Sequence, residues 1–125
     1  MAGTVVASTI NNDTGLFATN NAYLGIAKAW VNWDGSTSSG NTVRASFNVS
    51  SITRTATGNY TISFTTAMTD ANYCFAGSGQ NDAINTNVVT SSTVARTTTN
   101  LYIVVALPNN STGNPLTVNV IVHGN

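Results

Sequence analysis

The chain has 125 residues, of which 42% are hydrophobic and only 6% are charged, whereas ordinary soluble domains carry roughly 25% charged residues. Four basic and four acidic side chains give a net charge of zero. A neutral chain without a basic cluster lacks the counterion release that drives nucleic-acid binding and the attraction to anionic membranes. Neither is therefore predicted as a partner.

Uncharged side chains supply the polarity of this sequence. Asn, Thr and Ser together make up 51 of the 125 residues, and Glu is absent. Ser, Thr and Asn compete for backbone hydrogen bonds and disfavour helix, whereas Thr and Val favour strands. The composition predicts an all-β protein, and the length fits one domain.

The N-terminal part of the chain has a different sequence pattern from the rest. Residues Thr4 to Ile10 form a short β-prone segment, and turn-forming residues follow from Asn11 to Gly15. We predict an N-terminal arm with a short strand over residues 1–21 and a single β-sandwich domain over residues 22–125. The first ten residues carry no basic region and no long apolar run, so neither a secretory signal nor a transmembrane helix is predicted.

A long apolar run from Ala22 to Asp34 contains both tryptophans. Trp30 and Trp33 are three positions apart in the sequence, an odd offset, so on a strand they point to opposite faces. One of them is predicted to lie at a subunit contact or to be exposed for a ligand. A core tryptophan beside a half-covered surface tryptophan is the alternative.

Alternating patterns predict the remaining strands. Phe47, Val49 and Ser51 share one face of a strand, and a turn at residues 57–59 leads into a partner strand over residues 60–64, which we expect to pair antiparallel. A fifth apolar run covers residues 72–76, and a weaker strand pair, rich in Thr and Ser, covers residues 85–95.

The last two strands are predicted to form a core hairpin. Leu101 to Leu107 and Leu116 to Val122 both alternate, and residues 108–115 turn the chain between them. About eight strands at short spacing, without a helical stripe, predict an antiparallel β-sandwich of jelly-roll type.

Candidate catalytic groups are few. Cys74 is predicted to be buried as a small apolar residue, and His123, the only histidine, to be solvated or at an interface. The four aspartates lie in or beside turns, where carboxylates accept local backbone hydrogen bonds. They are Asp13, Asp34, Asp70 and Asp82. We predict no enzyme activity, catalytic residue, metal or cofactor; a small hydrolase stays open only if an aspartate reaches His123.

Three ordered segments and a short fourth carry a resemblance that covers roughly residues 22–76. These segments are Lys28–Gly35, Val43–Thr53, Gly58–Met68 and Asp70–Tyr73. They resemble a family of small tailed-phage virion proteins and tail-fibre-end domains, frequent in marine phages and cyanophages. The usual pattern of that family has Phe where Trp33 stands and often Pro where Thr69 stands.

The resemblance implies a non-enzymatic β-structured protein on the outside of a phage particle, forming a homotrimer. Because this chain begins at its own Met1 without a shaft domain upstream, we expect a free-standing decoration or cement protein on the capsid exterior, bound to the major capsid protein or other virion proteins. The alternative is a tail-fibre tip or receptor-binding module for host surface glycans, with sugars stacking at Trp33 beside Asp34, or at Tyr73.

Interface residues are predicted among exposed aromatic and aliphatic side chains and in the N-terminal arm. The candidates are Trp30, Trp33, Tyr23, Leu24, Val5, Val6 and Ile10.

Overall fold

The structure is a computed structural model that describes residues 3, 6–7, 9–12, 15–36, 41–81, 86–107 and 111–124. For residues 10–12, 15–21 and 86–88 the description covers the backbone alone. Its elements in chain order are β1 Thr9–Asn12, β2 Gly15–Ala18, α1 Thr19–Gly25, β3 Ala29–Asp34, β4 Thr42–Phe47, β5 Val49–Ala56, β6 Asn59–Phe64, β7 Cys74–Gln80, β8 Thr86–Ser91, β9 Asn100–Ala106 and β10 Thr117–His123.

Eight strands pair in the order β4-β3-β10-β7-β8-β9-β6-β5, and every pairing is antiparallel. The strands form two layers of four, β4-β3-β10-β7 and β8-β9-β6-β5, which are joined at one side by the short β7–β8 pairing. The predicted all-β antiparallel sandwich of about eight strands is confirmed. Strands β1 and β2 pair with each other in a separate two-stranded sheet; the division into an arm and a single domain stays a prediction.

The core lies between the two layers and follows the alternation of four strands. In β3, β6, β9 and β10 every second side chain is buried, and the intervening ones are more exposed. Trp33 of β3 meets Tyr60 of β6 edge to face, with ring centroids 5.6 Å apart. Fully burying such side chains stabilises the fold by about 1.5–3 kcal/mol each, so these aromatic contacts hold the two layers together.

The turn predicted between β5 and β6 is confirmed. The two strands pair antiparallel, and Gly58 takes a φ of +68° in the turn. A Cβ at this position would come within 2.9 Å of the carbonyl oxygens of Val105 and Gly113. Glycine is therefore required both by the backbone conformation and by the close approach of the neighbouring chain.

The bounds of two predicted strands differ from those in the structure. The run from Ala22 to Asp34 begins within helix α1, and only its last part forms β3, because a short apolar run does not distinguish a helix turn from a strand. The strand predicted through Phe47, Val49 and Ser51 is divided at Asn48, whose φ is +55°. Asn48 holds this break by donating from Nδ2 to the carbonyls of Lys28 and Thr66.

The predicted core hairpin of the last two strands is wrong. Strand β9 pairs with β6 and β8, whereas β10 pairs with β3 and β7 in the opposite layer. Both strands bury alternate Val, Ile or Leu side chains, as the pattern indicates. That alternation specifies the buried face of a strand but not its hydrogen-bonding partner.

Two further predictions are corrected. The segment over residues 85–95 supplies one strand, β8, and residues 92–99 continue without a strand. Cys74 is exposed rather than buried, because Tyr73 takes the inward position on that segment and strand alternation turns the next side chain outward.

Candidate interaction face

The outer face of the β4-β3-β10-β7 layer carries four apolar side chains in one row. Strand register places Phe47 opposite Trp30, Trp30 opposite Ile121, and Ile121 opposite Ala76. Their chain neighbours in β3 and β10 are buried, so these side chains point away from the core. Phe47 is 54% exposed, Trp30 40% and Ile121 39%. We call these four residues the apolar row.

A second row lies beside the apolar row, two residues further along the strands and therefore about 7 Å away. It consists of Asn32, Asn119 and Ser78, and we call it the amide row. Asn32 lies opposite Asn119, which lies opposite Ser78. Asn32 Nδ2 donates to Asn119 Oδ1 at 2.5 Å, and Asn119 Nδ2 donates to Ser78 Oγ at 3.4 Å. These bonds fix the orientation of the two amides.

The next position along the same face holds an ion pair. Arg44 approaches Asp34 with an N–O distance of 3.4 Å and also donates to Thr117 Oγ1 and the Leu116 carbonyl. The hydroxyl and backbone N–H of Ser36 hold the pKa of the Asp34 carboxyl below its ordinary value, and Arg44 adds to that effect. The two charges compensate each other, so the face has little net charge here; an exposed pair of this kind contributes about 0–1 kcal/mol.

A second apolar group adjoins Phe47, where the chain passes from α1 into β3. Tyr23, Leu24 and Ile26 are each exposed. Tyr23, Ile26 and Phe47 line one side of a groove of about 560 Å³. Lys28 Nζ lies 3.2 Å from the Tyr23 ring centroid and donates to the Tyr23 carbonyl. We call Tyr23, Leu24, Ile26 and Phe47 the apolar shelf.

Strand β4 is an edge of the sandwich next to this shelf. Within the part of the chain that the structure describes, it pairs only with β3, and all six of its residues are exposed. An edge strand presents unpaired N–H and C=O groups to any chain that approaches in an extended conformation. A partner chain can therefore pair with the backbone of β4 and contact the apolar shelf at the same time.

Some of the predicted interface residues are exposed in the structure and others are buried. Trp30, Tyr23, Leu24 and Val6 are exposed. Val5 lies outside the described residues, and so does the side chain of Ile10. Trp33 has no exposed surface, so its assignment to an interface or a sugar site is wrong. Tyr73 is 2% exposed, so its assignment to a sugar site is wrong as well. The odd spacing correctly placed the two tryptophans on opposite faces.

Several residues of this face were not predicted. Phe47 was grouped with Val49 on one strand face, and the backbone reversal at Asn48 removes that relation. Ile26, Ile121, Asn32 and Asn119 lie on neighbouring strands and in the preceding loop, and only the strand order brings them together. The sequence signal for Asn119 and Ile121 is their position in the last strand. They alternate with buried valines there and therefore point to the other face of the sheet.

The groups that could carry catalysis include one cross-strand pair, Cys74 and His123, which lie opposite each other in the β7–β10 register. Asp34 accepts hydrogen bonds from Ser36, and Asp70 accepts one from the backbone N–H of Asn72 at 2.6 Å. Among the described residues, no hydrogen bond or ion pair joins either aspartate to His123. Asp13 and Asp82 lie outside the described residues. The absence of enzyme activity stays a prediction.

No group of three or more His, Cys, Asp or Glu side chains converges in the described ranges. Of the helical segments described, none has the length and apolarity needed to cross a bilayer.

Comparison of the chain with models of known protein families, with curated protein sequences and with solved structures finds no match. The resemblance to tailed-phage virion proteins therefore stays a prediction that rests on the sequence segments themselves.

Proposed function

We propose that this chain is a tailed-phage virion structural protein that decorates the capsid exterior as a homotrimer and cements contacts between capsid subunits. The motif resemblance suggests the particle. The observation that carries the mode of action is the apolar shelf beside the open edge of β4, with Phe47 belonging to both. The proposed occupant of this surface is a second copy of the chain, with major capsid protein beside it.

Charge favours a like copy as the partner. The chain has zero net charge, and Lys28, the basic residue at the shelf, is already engaged by Tyr23. Identical copies therefore meet without electrostatic repulsion, and contacts made by uncharged groups depend little on salt. Interfaces are also enriched in aromatic residues and depleted in charged ones at their centres, which is the composition of the shelf.

The mechanical role follows from burial at joints between subunits. Apolar surface removed from water contributes about 25 cal/mol per Å². Internal pressure must break these contacts before capsid subunits separate, so a decorated particle resists heating better than a bare one.

The test uses particles stripped of the protein and then heated. We expect stripped particles to release DNA at a lower temperature, and added protein to restore the original value. The Phe47→Ser variant is expected not to restore it, whereas Val94→Ser is, because Val94 is exposed between β8 and β9 of the other layer. Unchanged DNA release after stripping contradicts cementing.

Copy number distinguishes the head from the tail. A decoration protein is present in hundreds of copies per particle, whereas a tail-fibre tip is present in a few tens or fewer. Quantitative mass spectrometry of purified particles measures this number, and a count in the lower range assigns the protein to the tail and contradicts the capsid location.

A further inference from the structure

A groove of about 510 Å³ lies on the outer face, between the apolar row and the amide row. Trp30, Ile121 and Ala76 line one part of it, and Asn32, Asn119 and Ser78 line another. Its volume falls in the range of small-molecule sites, roughly 300–1,000 Å³. The apolar shelf borders a different groove, and the two surfaces meet where Trp30 adjoins Phe47.

We propose that this groove binds a neutral saccharide, with one pyranose ring against Trp30 and its hydroxyls bonded to the amide row. Sugar rings present an apolar C–H face and a rim of hydroxyls. An indole ring suits the first, and amide groups that both donate and accept suit the second. The spacing of about 7 Å between the two rows matches one ring with its hydroxyls.

The amides are preorganised and retain capacity for a ligand. The Asn32–Asn119 bond uses one of the two Nδ2 hydrogens of Asn32 and one lone pair of Asn119 Oδ1. Asn32 Oδ1, the second Nδ2 hydrogen of each amide and the second lone pair of Asn119 Oδ1 remain available for hydroxyl groups. Because the amides are already oriented by their mutual bond, binding loses less side-chain entropy.

Charge distinguishes a neutral saccharide from an anionic ligand. Among the described residues, no ionisable side chain lines the groove. Two residues beyond Asn32 on this face, Asp34 is paired with Arg44. Two residues beyond Ile121 at the other end, the face holds His123, opposite Cys74. A phosphate or sulfate group would lose hydration here without gaining a charged partner, whereas an uncharged hydroxyl exchanges one hydrogen bond for another.

The experiment titrates the purified chain with maltotriose, cellotriose, mannotriose and chitotriose while tryptophan fluorescence is recorded. Trp33 has no exposed surface, so a change reports Trp30. We expect a saturable change with at least one sugar and none with a sulfated heparin disaccharide. Asn119→Ala should weaken binding roughly tenfold, as expected for the loss of one or two hydrogen bonds.

Two further variants complete the design. Asn72→Ala is the matched control, because Asn72 is exposed but lies outside the groove, and its affinity should equal that of the parent chain. Trp30→Ala should abolish sugar binding, measured by calorimetry since the reporter is lost. Flat titrations with all four sugars, a response to the sulfated sugar alone, or unchanged affinity in Asn119→Ala and Trp30→Ala overturn the proposal.

Light scattering on the same samples separates this inference from the proposed assembly. A trimer that binds none of the four sugars contradicts the saccharide site and supports the proposed assembly. A monomer that binds a sugar through Trp30 supports the saccharide site and contradicts the proposed assembly.

Discussion

The two tryptophans show how the position of a single residue decides its role. Trp33 is buried against Tyr60, yet its indole Nε1 has no hydrogen-bond partner among the residues that the structure describes. Trp30, three residues earlier, lies on the outer face beside polar groups. An unpaired buried donor costs about 1–3 kcal/mol, so Trp33 stabilises the core through its volume and contacts, with its N–H reducing that contribution.

Substitutions at Trp33 should therefore differ widely in cost. Trp33→Phe removes the unpaired N–H together with part of the ring, so relief of the unpaired donor offsets part of the cavity cost, and we expect a smaller loss in the free energy of unfolding than for Trp33→Ala. Trp33→Ala leaves a large cavity and should cost about 3–5 kcal/mol. Urea denaturation measures both. Equal costs for the two variants would show that the ring volume does not control stability.

Tyr73 gives the protein a pH dependence on the alkaline side. Burial raises the pKa of Tyr73 to about 12 from 10.0, and Arg96 acts in the opposite direction. Its single hydroxyl hydrogen is shared between the carbonyls of Thr97 and Asn100, at 3.0 and 2.9 Å. Because the folded state holds this proton more tightly than the unfolded chain, the contribution is complete below pH 10 and is lost as pH rises towards 12.

The Tyr73→Phe variant isolates this contribution. The difference in unfolding free energy between the parent chain and Tyr73→Phe should be constant up to about pH 10 and then shift in favour of the variant towards pH 12. Denaturant titrations at a series of pH values measure it. A difference that stays level across this range contradicts the raised pKa.

Whole elements were predicted where local alternation or turn chemistry was decisive. The β5–β6 hairpin follows from Gly58 and from alternating Tyr60, Ile62 and Phe64. Pairing between distant strands, such as β10 with β3 and β7, depends on packing of the whole chain and leaves no local signal. The outer face was missed for the same reason, since its two rows exist only once the strand order is known.

A small substitution in the turn between β5 and β6 should lower the stability of the fold markedly. Gly58→Ala places a Cβ against two carbonyl oxygens and an unfavourable positive φ, and we expect a loss of about 1–3 kcal/mol. Gly25→Ala, at the end of α1, has open space around its Cβ and should be neutral or slightly stabilising. Thermal unfolding of the pair tests the assignment, and similar melting temperatures for both variants would contradict it.

At the scale of the whole molecule, an uncharged sandwich has one layer whose outer face is apolar and hydrogen-bonding in adjacent rows. Large exposed apolar groups on a folded protein mark surfaces that other molecules cover. At the apolar shelf, the open β4 edge adds backbone pairing to that surface. Association through the shelf and the β4 edge leaves the groove between the two rows to the proposed saccharide.

Light scattering of the purified chain across a range of concentrations tests this association most directly. We expect a native mass three times the 12.9 kDa of the chain, a smaller mass for Phe47→Ser, and an unchanged mass for Val94→Ser. Circular dichroism confirms that each variant is folded. A mass equal to one chain at every concentration would contradict the proposed packing of identical copies.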